Sequence, residues 1–415
     1  MKLNNSLIIC FSLLFLVLSA EPAYTQENCQ IERDVQAGAF TEGDVKKLNN
    51  VYEKIGEEQY NEAAADLTKM LTSARSDFLK ATIHQALAQV EWARERYPQS
   101  LKSFEAAVQL DALPNHAHYA LMYQISQLYY MNKRYKEALE KLDLWFCAVP
   151  KENITPLAYV LKSSINLARE NYREALAAID LAIDLSDEPK ENWYQVKLAS
   201  HFELKQFPEA AKTLETMISK WPAKKVYWTQ LSSIYVKLKQ DKRALSVLAL
   251  AYKNNLLKKK SDIMQLVSLY QYLDVPYSAA KVLDKAITEG LVESNEKTLT
   301  QLGDIWYQAA EIDRALEAFS KAGRLSDKGK IDLRRGYLLA DKEDWPATSS
   351  ALESALKKGG LKDNQKGEAW LLKGMADFNS KSYTSARKSF GEATRFPKTR
   401  GAAQQWIKHM AEQKK

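Results

Sequence analysis

One spacing recurs through most of the 415-residue chain. A leading residue, usually bulky, is followed three positions on by a small one and four further on by an apolar one. The series reads Tyr60…Ala63…Leu67, Tyr97…Ser100…Phe104, Tyr135…Ala138…Leu142, Tyr172…Ala175…Ile179 and Phe207…Ala210…Leu214. It continues through Asp241…Ala244…Leu248, Pro276…Ala279…Leu283, Ile312…Ala315…Phe319, Trp345…Thr348…Leu352 and Tyr383…Ala386…Phe390. Successive small positions lie 33 to 38 residues apart. Spacings of three, four and seven put these side chains on one helix face. A period in this range is one helical hairpin per repeat.

Twelve residues before each small position stands another residue, usually small: Ala88, Ser126, Ser163, Ser232, Gly303, Gly336 and Gly374, with Val51, Leu198 and Val267 as exceptions. Small residues on facing helices let two backbones approach, while the large ones fill the space to the next hairpin. Pro150, Pro189, Pro222 and Pro397 stand where second helices must stop. The arrangement matches the tetratricopeptide pattern, most closely at Trp228-x2-Leu231-Ser232-x2-Tyr235…Ala244 and Leu299-x2-Leu302-Gly303-x2-Trp306…Ala315. The expected fold is all-α, a right-handed α-solenoid of about ten tetratricopeptide-like hairpins. The array is expected over 44–396, after an N-terminal loop or cap at 26–43. A capping helix and basic tail should occupy 397–415, with Ala402, Ala403, Trp406 and Met410 on one face. The Asp241 and Pro276 copies lack the leading aromatic, so packing is least defined there.

Composition excludes several function classes. Only 14 glycines occur, none between Gly56 and Gly290, and none in the spacing of a dinucleotide turn or phosphate loop. Of the five histidines only His116 and His118 have chelating spacing, and no cysteine or carboxylate adjoins them in a metal motif. Ser278 and Lys281 have the SxxK spacing of acyl-transfer nucleophiles. Ala279 between them, however, is a packing position, and the companion motifs are missing. The chain is expected to be no enzyme, with no catalytic residue, cofactor, metal or small-molecule substrate. A net charge of +7 does not argue for nucleic acid. From Arg395 to Lys415 six basic residues face one acid. That tail reads as a solvated capping helix, or alternatively as a contact for an acidic partner or anionic lipid surface.

Lys2 precedes a 12-residue apolar run, Leu7–Leu18, too short to span a membrane comfortably and suited to a signal peptide at 1–25. Cleavage after Ser19 or after Thr25 fits equally well, and an uncleaved membrane anchor is the competing reading. Removal would leave Cys29 and Cys147, which could pair or could leave a buried free thiol at Cys147.

In this repeat class the first helix of each hairpin lines the concave face. Counting back from the small positions puts Gln85, Gln89, Trp92, Tyr123, Gln127 and Tyr130 there. Later repeats add Gln195, Gln230, Gln265 and Gln301. Glutamine pairs with a backbone amide through both its donor and its acceptor. Tyrosine and tryptophan stack on apolar or proline side chains. Such a groove suits an extended peptide from a protein partner, and it lacks the regular Lys/Arg array that clamps a terminal carboxylate.

Some stretches depart from the generic repeat in a shared way. They are Leu110-Asp111-Ala112-Leu113-Pro114-Asn115, the run Leu185 to Gln195 with Phe202-Glu203-Leu204-Lys205, Tyr227-Trp228-x-Gln230-Leu231-Ser232, and Lys398-Thr399-Arg400…Gln404-Gln405-Trp406. In these the chain, from about Cys29 to its end, resembles the exported tetratricopeptide proteins of Gram-negative bacteria encoded beside TonB, ExbB and ExbD homologues. The resemblance implies a periplasmic accessory of an energy-transducing complex for outer-membrane uptake, with TonB/ExbB/ExbD-type partners. It supplies no catalytic residues. An envelope-assembly chaperone or cell-wall factor is the alternative, and an uncleaved signal would leave the chain anchored in the inner membrane.

Overall fold

A computed structural model describes residues 33–412. Among these there are α-helices and one short 3-10 turn but no strand. The chain divides into two compact units, Met1–Leu204 and Lys205–Lys415. In the first unit the helices are α1 (Glu42–Gly56), α2 (Tyr60–Ser73), α3 (Asp77–Ala93), α4 (Tyr97–Gln109), α5 (Asn115–Met131), α6 (Tyr135–Ala148), α7 (Pro156–Ala168), α8 (Tyr172–Asp184) and α9 (Glu191–Glu203). The second unit holds α10 (Phe207–Lys220), α11 (Lys225–Lys237), α12 (Asp241–Lys253), α13 (Lys260–Tyr272), α14 (Pro276–Thr288), α15 (Glu296–Gln308) and α16 (Ile312–Leu325). It closes with α17 (Lys330–Asp341), α18 (Trp345–Lys358), α19 (Asp363–Asn379), α20 (Tyr383–Ala393) and α21 (Arg400–Glu412). Within each unit consecutive helices pair as antiparallel hairpins, and each hairpin packs on the next. The fold is an all-α stack of helical hairpins, as the period requires.

The two small positions of a repeat meet inside its hairpin. Ala63, Ala138, Ala175, Ala244, Ala279, Ala315 and Ala386 are completely buried. Across from three of them a serine hydroxyl donates to the alanine carbonyl: Ser126 to Ala138 at 2.8 Å, Ser163 to Ala175 at 2.6 Å and Ser232 to Ala244 at 3.0 Å. Later repeats put glycine at the serine position because a ring or branched side chain presses in. A Cβ on Gly303 would lie 2.6 Å from Phe319, and one on Gly336 would lie 2.5 Å from Leu352. The weak Asp241 and Pro276 copies pack like the rest, since Leu248 and Leu283 are also fully buried.

The turn inside each complete hairpin has one residue in the left-handed region, two positions before the second helix. Glu58, Glu95, Lys133 and Glu170 take it in the first unit, and Lys239, Asp274, Ala310, Glu343 and Lys381 in the second, with φ from 56° to 62°. The amide after it reaches back five residues, as in Arg96 N to Glu91 O at 2.8 Å, which ends the first helix as a Schellman motif. Glycine would favour that conformation, yet none of these positions uses it.

Residues 33–41, in the segment expected as loop or cap, carry no helix or strand and lie as a strap on the array, and α1 begins at Glu42. The Arg33 side chain is only 6% exposed. Its Nε donates to Asp111 at 2.7 Å, one NH2 group to Asn115 at 2.7 Å and the other to the Leu113 carbonyl at 2.5 Å. Asn115 returns its amide to the Arg33 carbonyl. Further along, Phe40 stacks on Phe78 at 4.8 Å, and Gly38 lies so close to Phe78 that a Cβ would sit 2.7 Å from its ring. Cys147 in α6 is disulfide-bonded, which decides between the two readings open for it, a paired cysteine and a buried free thiol. Cys29 and the apolar run at 7–18 lie outside the described residues. At the other end α21 buries Ala403 and Met410, and Trp406 stacks on Phe390 at 5.4 Å. No helix of the described residues is long and apolar enough to cross a membrane.

Candidate functional site

In the first unit α3 and α5 are successive first helices. Ser76 caps α3 by accepting from the Leu79 amide at 3.2 Å, and Pro114 stands immediately before α5. Gln85, Gln89 and Trp92 follow one another on α3 at spacings of four and three, and Tyr123, Gln127 and Tyr130 do the same on α5. Each trio therefore shares one helix face. Gln89 and Trp92 are exposed; Gln85, Tyr123, Gln127 and Tyr130 are half-buried.

Gln89, Trp92 and Gln127 come together around a hollow of about 240 Å³, whose remaining lining is Phe104 and Gln124. Phe104 was legible only as the apolar packing position of its repeat, and it is 3% exposed. Gln124 stands 14 residues before Ala138, the same register in which Gln230, Gln265 and Gln301 precede Ala244, Ala279 and Ala315. That column was the signal that could have found it. The hollow thus offers an indole, a phenyl ring and three primary amides, which can hold one apolar side chain while pairing with the backbone on either side of it.

The other expected residues are placed differently. Gln85 does not line the hollow. The Tyr123 ring packs on Trp145 at 5.2 Å, and its hydroxyl donates to the Leu157 carbonyl at 3.3 Å. Burial raises its phenol pKa above the ordinary value, with a hydrogen bond to Gln127 acting in the opposite sense. Tyr130 packs on Tyr135 at 5.7 Å, and Trp92 meets Tyr97 edge-on at 5.3 Å. Both aromatics therefore also brace the turn of their own hairpin. Gln195 is exposed on α9. In the second unit Gln230, Gln265 and Gln301 are half-buried on α11, α13 and α15. The Gln230 amide oxygen is buried and takes no hydrogen bond among the described residues.

His116 and His118 do not converge. Two residues apart on a helix they point to different sides, and His116 is exposed while His118 is buried. Burial lowers the His118 pKa, the Arg33 charge lowers it further, and Asp111, 3.6 Å from Nδ1, opposes both. No group of three His, Cys, Asp or Glu among the described residues could hold a metal. Lys281 of the SxxK spacing lies 5.8 Å above the Tyr277 ring. Three of the tail's six basic residues pair with carboxylates: Arg395 with Glu392 at 2.8 Å, Lys398 with Glu368 at 2.6 Å and Lys408 with Glu412 at 4.0 Å.

No curated protein matches the chain. Among solved structures it is similar to a tetratricopeptide repeat protein from Parabacteroides merdae at 13% identity, over 69% of this chain and 94% of that one, with a TM-score of 0.38. It is similar to YrrB, described as a tetratricopeptide protein with an unusual peptide-binding site, at 15% identity, over 48% of this chain and 100% of that one, with a TM-score of 0.33. The TPR2AB domain of yeast Sti1, solved in complex with pHSP90, is similar at 15% identity over 62% and 98% of the two chains, with a TM-score of 0.31. A family model does match within the chain: residues 86–146 match the tetratricopeptide repeat, the stretch that carries Gln89, Trp92, Gln124 and Gln127.

Proposed function

We propose that the chain is a non-catalytic scaffold that holds an extended segment of a protein partner along its first helices. The observation that carries this reading is the hollow where Gln89, Trp92, Phe104, Gln124 and Gln127 meet. A strand crossing it can seat one apolar or proline side chain against the indole and satisfy its backbone on the flanking amides. The column Gln230, Gln265 and Gln301 repeats the amide in the same register in the second unit. We further propose export to the periplasm and a role beside a TonB-type energy-transducing system. What supports these is the signal-like run at 7–18 and the resemblance in the Leu110–Asn115, Leu185–Gln195 and Lys398–Trp406 stretches.

A photoreactive residue at Gln89 or Gln127, activated in cells, tests the reading. Capture of a TonB-, ExbB- or ExbD-type protein is expected, and Trp92→Ala with Gln124→Ala should lower that capture at least about tenfold. Undiminished capture by that variant sinks the groove. Capture of outer-membrane precursors or murein components instead would favour an envelope-assembly chaperone. Fractionation, with the mass of the mature N-terminus, tests export separately.

A further inference from the structure

The antiparallel hairpins give the second unit two edges. Turns within hairpins form one; the loops joining successive hairpins, at 254–259, 289–295, 326–329, 359–362 and 394–399, form the other together with 221–224. Between Lys220 and Lys260 the chain carries eleven Lys and Arg residues and a single carboxylate, Asp241. This excess exceeds that of the C-terminal tail. Much of it lies on the joining edge. Lys253, Lys259 and Lys260 stand there, followed two hairpins on by Lys328 and Lys330 and then by Lys362. All six are exposed, and none of their ammonium groups pairs with a carboxylate among the described residues, although the Lys259 backbone amide donates to Asp262 at 3.3 Å. Lys225 and Lys358 on the same edge are tied to buried carboxylates, Asp262 at 2.8 Å and Asp332 at 2.6 Å. Acidic residues on this edge are fewer: Glu289, Glu293 and Glu296 gather at one joining loop, Asp327 adjoins Lys328 and Asp363 adjoins Lys362. The turn edge mixes the signs, with Glu311, Asp313, Asp341 and Glu343 among its cations. Two apolar side chains, Val226 at 47% exposed and Leu325 at 55%, also lie on the lysine edge.

We propose that this edge of the second unit docks on an anionic lipid bilayer. The unpaired cations belong to several loops rather than to one groove, which suits a sheet of headgroup charge better than a single acidic strand. They are lysines, flexible point charges, and not the planar guanidinium forks that clamp individual carboxylates. Clusters of four to eight such cations attract anionic leaflets, and Val226 and Leu325 add apolar contact at the interface.

The test is co-sedimentation of the purified full chain with vesicles of phosphatidylcholine alone or mixed with phosphatidylglycerol, at about 0.1 M salt. Binding to the mixed vesicles is expected, with suppression at high salt. Lys259→Gln, Lys260→Gln, Lys328→Gln and Lys330→Gln together should weaken it at least about tenfold. An equal charge change on other exposed sites, Lys239→Gln, Lys242→Gln, Lys381→Gln and Lys388→Gln, should leave it within about twofold. Helical circular dichroism checks that both variants fold. Equal losses in the two variants would mean that net charge alone acts, and would overturn the proposal. So would equal binding to neutral vesicles, which reports the apolar run at 7–18. Binding to polyglutamate or duplex DNA with none to vesicles also overturns it, in favour of an acidic protein or nucleic acid.

Discussion

At the scale of single residues the hairpin interior decides what is tolerated. Gly303 leaves no room for a methyl group beside Phe319, and Phe319 is itself fully buried. Gly303→Ala is therefore expected to cost about 1–3 kcal/mol, because the ring must leave its rotamer or the helices must part. Gly391 lies inside α20 with nothing within 4 Å of its Cβ position. Gly391→Ala should instead be neutral or stabilise by about 0.5–1 kcal/mol, since alanine is the better helix former there. Urea denaturation of the two variants distinguishes these effects. If both shift the midpoint alike, the contact at Phe319 is not what fixes the glycine. These packing positions were legible because a small residue recurs twelve before another. Gln124 is legible from its register, 14 residues before Ala138. The hollow itself was not legible, since Phe104 looks identical in sequence to any other core position.

Between elements, a polar latch joins neighbouring hairpins in both units. The Tyr129 hydroxyl on α5 donates to Glu105 on α4, and the Tyr235 hydroxyl on α11 donates to Glu215 on α10. The Arg134 and Arg243 guanidiniums lie 4.5 Å and 4.3 Å over the two rings. Burial first and the glutamate second push both phenols up to about 12. Each phenol holds its proton more tightly folded than unfolded. Its contribution to stability is thus complete below the unfolded value near 10 and is lost as pH rises from there through about 12. Stability should fall across that window, and it should fall less steeply in Tyr129→Phe with Tyr235→Phe. Denaturation at pH 9, 10 and 11, with phenolate absorbance followed in parallel, measures both. Coincident slopes for the variant and the parent would refute the latch. Sequence showed Tyr235 as the aromatic of the repeat pattern; that glutamates of the preceding helices meet Tyr235 and Tyr129 depends on how consecutive hairpins are rotated.

On the scale of the whole molecule, the strap is the feature that periodicity does not describe. Arg33 binds Asp111, Leu113 and Asn115 about 80 residues away, and Phe40 and Gly38 lie on Phe78. A repeat array ordinarily gains stability from nearest neighbours alone; the strap adds a tie from the first hairpin to the third. Arg33→Ala should cost about 1–2 kcal/mol, discounted because Asp111 remains largely solvated. Hydrogen exchange should show the loss in α1 to α5 and leave α11 to α20 unchanged. A uniform loss, or none, would show that the strap rests on the surface without restraining it. The same residues explain why Leu110 to Asn115 departs from the generic repeat: it is a receptor for the strap.

What the sequence determined by itself is the hairpin, its period, its all-α class and the close-packed positions, because helix periodicity and side-chain size are local properties that each repeat states again. The left-handed turn residues escaped it, since Glu, Lys, Asp and Ala carry no signature of positive φ when the helices on either side impose it. Only the tertiary structure decided which amides gather round a ring, which glutamate meets which tyrosine, where Arg33 is held and which lysines share an edge. Those depend on rotations between hairpins and on contacts across tens of residues, which no local pattern encodes.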